Sequence, residues 1–217
     1  MHQYQIFKKE FEQAVTKSGR SFEDVNLIAV SKKKNVEEIK QVIELGHQSF
    51  GENQIQEVEN KWLEIKNSHQ QLKLHYIGSI QSRKTEAIFK NCDVIHSVDR
   101  IKVVKQIKQL ENECNEVKDY FLQINTGNEP QKSGVQLMQA DEFVDTCINK
   151  YDLNVIGLMC LPPQKESPKS HFDNLRILAS NFNLNYLSMG MSEDFEIALK
   201  CGATHIRVGT KIFGARS

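Results

Sequence analysis

Short apolar runs alternate with longer amphipathic segments along most of this chain. Eight runs rich in β-branched and aromatic residues are predicted to form strands, at residues 26–31, 48–51, 73–78, 93–97, 119–124, 153–158, 184–188 and 204–208. The intervening segments carry apolar residues at helical spacing, at residues 35–45, 53–66, 82–90, 99–115, 137–150, 168–182 and 192–201, and a further helix at about 2–18 precedes the first strand. This alternation is typical of βα units around a parallel sheet.

The number of units distinguishes two parallel-sheet architectures. Eight strands alternating with helices predict a single (β/α)8 TIM barrel with an extra amino-terminal helix, and 217 residues lie near the compact end for that fold. An open doubly wound sheet normally has a glycine-rich turn after its first strand, but the segment here, Ser31-Lys32-Lys33-Lys34, contains no glycine. No linker or shift in composition divides the chain, so we expect one domain over residues 1–217.

Local signals mark several helix ends. Asn35 and Ser192 are of the type preferred at N-caps, and Asp99 is expected to cap the helix after the fourth strand. Gly46 and Gly202 follow two of the helical segments, as C-terminal glycines commonly do.

The charge balance argues against two classes of partner. The chain has 28 basic and 28 acidic side chains, whereas nucleic acids and anionic membrane surfaces favour proteins with a basic excess. No apolar run approaches the ~20 residues of a membrane span, and the polar start is unlike a signal peptide, so we expect a cytoplasmic protein. The five cysteines form no Cys-x-x-Cys pair and are predicted to be reduced thiols, mostly in the core. No long apolar helix face is left over, which favours a monomer.

In a barrel, the active face is built from residues that follow the strands. Those residues here are mostly polar: Lys32, Glu52, Asn53, Ser79, Gln81, Asp99, Asn125, Thr126, Met159, Ser188, Arg207, Gly209 and Thr210. Among them only Lys32 can form a Schiff base with an aldehyde. Strand alternation places Lys34 on the same side as Lys32 and Lys33 on the other, and a second ammonium nearby favours a neutral, nucleophilic amine. The alternative is a solvated run of lysines.

Two small, hydroxyl-bearing segments follow the last two strands, at residues 187–192 and 207–210. Loops at these positions are the usual phosphate site of this barrel. An aldehyde-trapping lysine opposite a phosphate site implies a phosphorylated aldehyde, of which pyridoxal 5′-phosphate is the common cofactor. Arg207 could then face the pyridine nitrogen, which would keep the ring neutral, or it could form a structural salt bridge.

Metal catalysis is the competing use of a barrel mouth. His75, His96 and His205 lie within separate strands rather than clustered after them. Each is therefore predicted to be a hydrogen-bonded histidine of the core or lumen rather than a metal ligand.

Six collinear motifs closely resemble the pyridoxal phosphate homeostasis protein family. They are Leu27-Ile28-Ala29-Val30-Ser31-Lys32, Phe50-Gly51-Glu52-Asn53 with Gln56-Glu57, His75-Tyr76-Ile77-Gly78-Ser79-Ile80-Gln81, Gly157-Leu158-Met159, Leu187-Ser188-Met189-Gly190-Met191-Ser192 and Arg207-Val208-Gly209-Thr210, the last followed by Ile212-Phe213-Gly214-Ala215-Arg216. The resemblance implies a barrel like the amino-terminal domain of bacterial alanine racemase, with pyridoxal phosphate as an internal aldimine on Lys32. It also implies phosphate contacts from Ser188 and the Gly209-Thr210 backbone, a ring-nitrogen contact from Arg207 and Asn53 lining the cofactor. The family usually has asparagine where this chain has Arg83, so the role of that position is open.

The same resemblance implies a role in buffering or delivering the cofactor, with indirect effects on amino-acid and keto-acid pools. Apo forms of pyridoxal phosphate-dependent enzymes are then the partners to expect. The alternative is an amino-acid racemase of low activity. Racemisation needs a base on each face of the cofactor, and only ten residues follow Arg207, so we expect a cofactor holder without robust turnover. A cofactor-free scaffold is the third possibility.

Overall fold

The computed structural model describes residues 2–214, and within them a parallel sheet closes into a barrel. Its strands are β1 (Asn26–Val30), β2 (Ser49–Glu52), β3 (Lys73–Tyr76), β4 (Val94–Val98), β5 (Asp119–Asn125), β7 (Val155–Cys160), β8 (Tyr186–Ser188) and β9 (His205–Val208), with a two-residue β6 (Val135–Gln136) beside β5. The order runs β4-β3-β2-β1-β9-β8-β7-β5, and a β4–β5 pairing completes the ring. The predicted (β/α)8 barrel is confirmed.

Strand register carries the site residues to one end of the barrel. Ile28 pairs with Arg207 and Ala29 with Val208, so the segment after β1 and the segment after β9 leave the sheet side by side. Ala29 also pairs with Phe50 on the other side. Three loops that are distant in sequence therefore meet at the carboxyl ends of β1, β2 and β9.

The helices surround the barrel in the predicted alternation. Their bounds are α1 (Gln3–Lys17), α2 (Val36–Glu44), α3 (Ile55–Glu57), α4 (Leu63–Ser68), α5 (Thr85–Asn91), α6 (Ile101–Cys114), α7 (Ala140–Asp145), α8 (Pro168–Asn181), α9 (Phe195–Lys200) and α10 (Thr210–Phe213). Two of the predicted helices contain π-helical turns, Val58–Trp62 between α3 and α4, and Thr146–Lys150 after α7. Short α10 was not predicted from the sequence, and Ala215 and Arg216 of the closing motif lie outside the described residues.

Two of the three predicted N-caps differ from the structure. Asn35 caps α2 in a reciprocal capping box with Glu38, and Gly46 follows this helix at a φ of +87°. The helix predicted from Ser192 begins instead at Phe195, because the Asp194 carboxylate accepts from the Met191 N–H at 2.6 Å and forms a turn. Asp99 is not a cap.

At Asp99 the N-cap position is taken by the next residue, Arg100, without a side-chain hydrogen bond. The Asp99 carboxylate instead pairs with the Arg100 side chain at 2.5 Å. The other carboxylate oxygen accepts from the Gly134 N–H at 3.4 Å. Asp99 thereby ties the loop after β4 to the loop that leads into β6.

The main core lies between the barrel wall and the helices, and the amino-terminal helix α1 is part of it. Phe7 and Phe11 of α1 pack on Phe195 of α9 with ring centroids 5.6 and 5.9 Å apart. All five cysteines are free, and four of them are buried, as the sequence predicted. No helix among residues 2–214 has the length and apolarity to cross a membrane.

Candidate functional site

A cavity of about 290 Å³ opens at the carboxyl ends of the strands. Five of the six residues predicted to form the site line it: Lys32, Asn53, Arg207, Gly209 and Thr210. Met191 and Ser192, from the loop after β8, complete one wall, and Lys34 lies on another. The loops after β1, β2, β8 and β9 thus build one chamber, as the barrel topology requires.

The lysine loop, Ser31 to Lys34, is a turn rather than the continuation of β1 that the predicted strand alternation assumed, but it separates the three lysines in the same way. Lys32 and Lys34 line the cavity, whereas Lys33 is exposed. The Lys34 ammonium is 3.1 Å from both the Glu38 carboxylate and the Phe213 carbonyl. Glu38 therefore offsets part of the field that we expected Lys34 to exert on Lys32.

Asn53 presents an unpaired polar atom near the cavity. Its Oδ1 is buried and has no hydrogen-bond partner among the described residues. The loop reaches this position because position 78 is glycine: a Cβ there would lie 2.0 Å from the Asn53 carbonyl oxygen. A buried amide oxygen without a partner is uncommon in a folded protein and marks a place where a ligand donor fits.

Arg207 projects from β9 into the base of the cavity and is only 4% exposed. Its guanidinium donates to Ser188 Oγ at 2.5 Å and to the Cys160 carbonyl at 3.0 Å. No carboxylate of residues 2–214 forms an ion pair with it, so the salt-bridge alternative is wrong for the described chain. Burial lowers the pKa of Arg207, yet a guanidinium remains a donor without acceptor capacity.

Ser188 is the one predicted site residue that the cavity lining does not include. It is fully buried, and its hydroxyl binds both Arg207 and His96, at 2.5 and 2.8 Å. The sequence places Ser188 at the end of a strand, where its side chain could point either into the cavity or into the barrel. In the structure the side chain points into the barrel, towards Arg207 and His96. Its predicted phosphate contact stays a prediction, and the structure gives it a second role, that of holding the Arg207 guanidinium.

Ser192 lines the cavity. The sequence did not single it out as a site residue and placed it only within residues 187–192, a segment predicted to bind phosphate. Thr210 Oγ1 and Ser192 Oγ lie 3.1 Å apart, so the loops after β8 and β9 present two adjacent hydroxyls. Gly209 begins this turn, and a Cβ on it would lie 3.2 Å from the Val30 carbonyl oxygen. A larger residue there would push the β9 loop away from β1.

Three histidines from separate strands converge inside the barrel, a proximity that was not predicted from the sequence. His75 Nδ1 and His96 Nε2 are 2.9 Å apart, and the His205 ring lies within 6.1 Å of both, measured between centroids. Burial holds the pKa of His75 and His96 well below the ordinary value and that of His205 at about 4. They are hydrogen-bonded histidines of the lumen, one of the two locations predicted, and no group of three or more His, Cys, Asp or Glu residues among residues 2–214 is arranged so that it could hold a metal ion.

Arg83 lies away from this chamber. It is exposed on the turn Ser82–Lys84, and its guanidinium contacts the Gln81 side chain at 3.4 Å. Arg83 is not among the residues that line the cavity.

Comparison with known proteins gives a consistent family. The family model described as alanine racemase, N-terminal domain, matches residues 7–217. Pyridoxal phosphate homeostasis protein of Escherichia coli strain K12 is 32% identical, with 99% of this chain and 96% of that protein covered. The protein of the same name from Aquifex aeolicus is 33% identical, with 96% and 94% covered.

Solved structures agree with the sequence relatives. PipY of Synechococcus elongatus, in a structure with PLP bound, matches at a TM-score of 0.82 and 29% identity over 94% of this chain and 99% of that chain. Alanine racemase of Clostridium difficile matches at a TM-score of 0.73 with 14% identity, over 94% of this chain and 55% of that chain, which shows a shared fold. The chain belongs to the alanine racemase N-terminal domain family and, within it, to the pyridoxal phosphate homeostasis proteins.

Proposed function

We propose that this chain binds pyridoxal 5′-phosphate in the barrel-mouth cavity, covalently through Lys32, and serves to buffer or deliver the cofactor. The observation that carries the proposal is that one cavity of about 290 Å³ is lined by an amine, a buried guanidinium and two adjacent hydroxyls. PipY, which shares the fold and 29% of its sequence with this chain, has been solved with PLP bound.

The residues present fit that cofactor group by group. Lys32 supplies the amine, and the unpartnered Oδ1 of Asn53 can accept a hydrogen bond from a bound hydroxyl group. When bound, pyridoxal phosphate supplies an aldehyde carbon, with which an amine condenses by loss of one water, and an electron-accepting ring. Ser192, Gly209 and Thr210 supply hydroxyls and backbone N–H groups suited to a phosphate.

Arg207 determines how strongly the ring can accept electrons. A guanidinium only donates hydrogen bonds and cannot accept one from a protonated pyridine nitrogen, so a ring nitrogen that faces Arg207 stays unprotonated. Ser188 and the Cys160 carbonyl fix the guanidinium from behind. A neutral ring is a weak electron sink, which favours retention of the cofactor over turnover.

Proton-transfer groups are sparse around the cavity. Among the described lining residues there is no tyrosine, histidine or carboxylate, and Lys34 is paired with Glu38. Racemisation requires an acid and a base positioned on opposite faces. We therefore propose a cofactor holder rather than a racemase, with apo enzymes as recipients; a cytoplasmic location and a monomeric state stay predictions.

Borohydride trapping tests the proposal directly. Purified protein loaded with pyridoxal phosphate should be yellow, and reduction should fix one cofactor on the peptide that contains Lys32. Lys32→Ala should abolish the adduct, whereas Lys33→Ala, a change at the exposed neighbour, should leave it intact. An adduct that maps to another lysine, or a colourless wild-type protein in excess pyridoxal phosphate, would overturn the assignment.

Two further assays separate holder from enzyme. Loaded protein mixed with an apo enzyme should restore that enzyme's activity while a trap removes free cofactor. Incubation with L-alanine should cause no loss of optical activity at enzyme-like rates. Sustained racemisation would favour the alternative.

A further inference from the structure

Lys61 lies beneath the lysine loop and is not among the residues that line the cavity. Its ammonium is 3.0 Å from the Ser31 carbonyl and 3.3 Å from the Lys34 carbonyl. It is also 2.7 Å from Glu52 and 2.8 Å from Glu57. The side chain is 11% exposed, so these four oxygens form most of the surroundings of the charge.

The two backbone contacts of Lys61 bracket Lys32. They fall on the residue before Lys32 and on the residue two positions after it, and the Lys34 N–H closes the same turn onto the Ser31 carbonyl at 3.0 Å. Glu57, a partner of Lys61, accepts from the Lys33 N–H at 2.6 Å. Lys33 has a φ of +60°, a conformation that residues other than glycine rarely adopt without support.

The charge of Lys61 is itself anchored. Glu52 is fully buried, and the same carboxylate oxygen that meets Lys61 also accepts from Ser31 Oγ at 2.7 Å and from Trp62 Nε1 at 3.1 Å. Lys61 and Trp62 belong to the π-helical turn Val58–Trp62, a feature that often occurs at functional sites. Two consecutive side chains of that turn thus reach one carboxylate.

We infer that Lys61 is a positioning residue: its ammonium clamps the carbonyls on either side of Lys32 and so holds the Lys32 amine at the cavity for covalent attachment of the cofactor. The inference rests on the proposed function. A loop held by solvent-exposed contacts would sample several positions for the amine. The clamp removes that freedom without touching the ligand, so it should affect the covalent bond and not the phosphate anchor.

Lys61→Met removes the ammonium and keeps the length of the side chain. The matched control is Lys66→Met, which removes a lysine from the same helical segment, ion-paired with Asp93 at 2.7 Å and remote from the lysine loop. Each variant is titrated with pyridoxal 5′-phosphate and with pyridoxine 5′-phosphate, which carries the phosphate but no aldehyde. Borohydride reduction then gives the fraction of protein labelled on Lys32, and urea denaturation gives stability.

Lys61→Met should bind pyridoxal phosphate about tenfold more weakly and label Lys32 less completely, because hydrogen bonds to a charged group are lost on both sides of the loop. Its affinity for pyridoxine phosphate should stay within about twofold of wild type, a difference of roughly 0.4 kcal/mol. Lys66→Met should keep wild-type affinity for both ligands even if it unfolds at a lower urea concentration.

Glu57→Gln is the second variant, in case Lys61→Met does not fold. It keeps the shape of the side chain and weakens the support of both Lys61 and the Lys33 N–H, so it should shift pyridoxal phosphate affinity in the same direction by a smaller factor. Wild-type labelling and affinity in the folded variants, or equal losses for both ligands, would overturn the inference alone. Absence of a Lys32 adduct in the wild-type protein would overturn the proposed function and this inference with it.

Discussion

The mouth and the lumen of this barrel are both rich in buried polar side chains, yet they differ in how those groups are satisfied. In the lumen each histidine of the trio has a side-chain partner: His75 and His96 bind each other, and His205 binds Thr204 Oγ1 at 2.9 Å. Apolar packing adds to this, since His96 stacks on Phe121 at 4.2 Å. One lumen atom, His75 Nε2, is buried without a partner among the described residues, but the trio is enclosed by protein on all sides.

The mouth is different because its polar groups are aimed at space. Asn53 Oδ1 lacks a partner among the described residues, and Lys32, Ser192 and Thr210 line an open chamber. Burial of polar residues therefore does not locate a site in this fold. What distinguishes the site is that its polar side chains line an open cavity, whereas those of the lumen are enclosed.

Acidification should have the largest effect of all on stability, because it acts on the three histidines of the lumen. The folded-state pKa of His205 is depressed to about 4 by burial, and His75 and His96 are shifted in the same direction. Since the unfolded chain binds protons more readily below about pH 6.5, the free energy of unfolding should hold above that pH and fall as the pH drops towards 4. At pH 5 the depressed pKa of His205 should cost about 2 kcal/mol, and His75 and His96 should add to the loss in the same direction. Urea denaturation at pH 7.5 and pH 5.0 measures the loss.

His205→Phe provides the control for the acid effect. It removes one titrating group, so its loss between the two pH values should be smaller by about 2 kcal/mol. Glu52 and Asp194 have pKa values raised by burial and so act in the opposite direction, but they are common to both proteins. Identical pH dependence in the two proteins would show that His205 is not held neutral by the fold.

Gly78→Ala, a change at the mouth, should have an intermediate effect on stability and should weaken cofactor binding. The added Cβ would lie 2.0 Å from the Asn53 carbonyl oxygen, so the Asn53 loop must move. Overpacking of this kind costs about 1–3 kcal/mol, and cofactor retention should fall with it. The matched control is Gly157→Ala, whose Cβ would lie 2.1 Å from the Tyr186 carbonyl oxygen on the barrel wall. Equal loss of cofactor in both variants, measured by absorbance titration, would contradict this distinction.

Substitution of two serines, Ser188 and Ser192, should give the smallest effects and tests the difference between lumen and mouth most specifically. Ser188→Ala leaves Arg207 and His96 without their shared hydroxyl, and should lower the free energy of unfolding by about 1–3 kcal/mol. Ser192→Ala, at the cavity surface, should change stability by less than about 0.5 kcal/mol and weaken phosphate binding.

Urea denaturation measures the free energy of unfolding of the two serine variants, and competition by inorganic phosphate measures their affinity for phosphate. If Ser188→Ala weakens phosphate binding without a loss of stability, Ser188 is a ligand-binding residue of the mouth and not a structural residue of the lumen. If Ser192→Ala leaves phosphate binding at its wild-type strength, the phosphate contact proposed for that hydroxyl is wrong.

Much of the fold was predictable because its signals are local. Runs of β-branched residues and helical spacing gave all eight barrel strands, with starts displaced by about two residues at β7 and β8. The N-cap at Asn35 was likewise predicted, since a cap depends on residues within one turn of each other. The cap at Ser192 was mispredicted, because a turn closed by Asp194 competes for the same polar groups.

The sequence by itself determined which residues lie at or just after the carboxyl ends of the strands, and so it placed Lys32, Asn53 and Arg207 at one end of a barrel. Only the tertiary structure decided which of the others meet. The histidines come together because closure of the sheet through the β4–β5 pairing curves distant strands around one axis. Lys61 reaches the lysine loop because the helical segment after β2 packs beneath the loop after β1. Periodicity along a chain fixes the face on which a side chain lies, but the distance between two such faces depends on how the sheet closes.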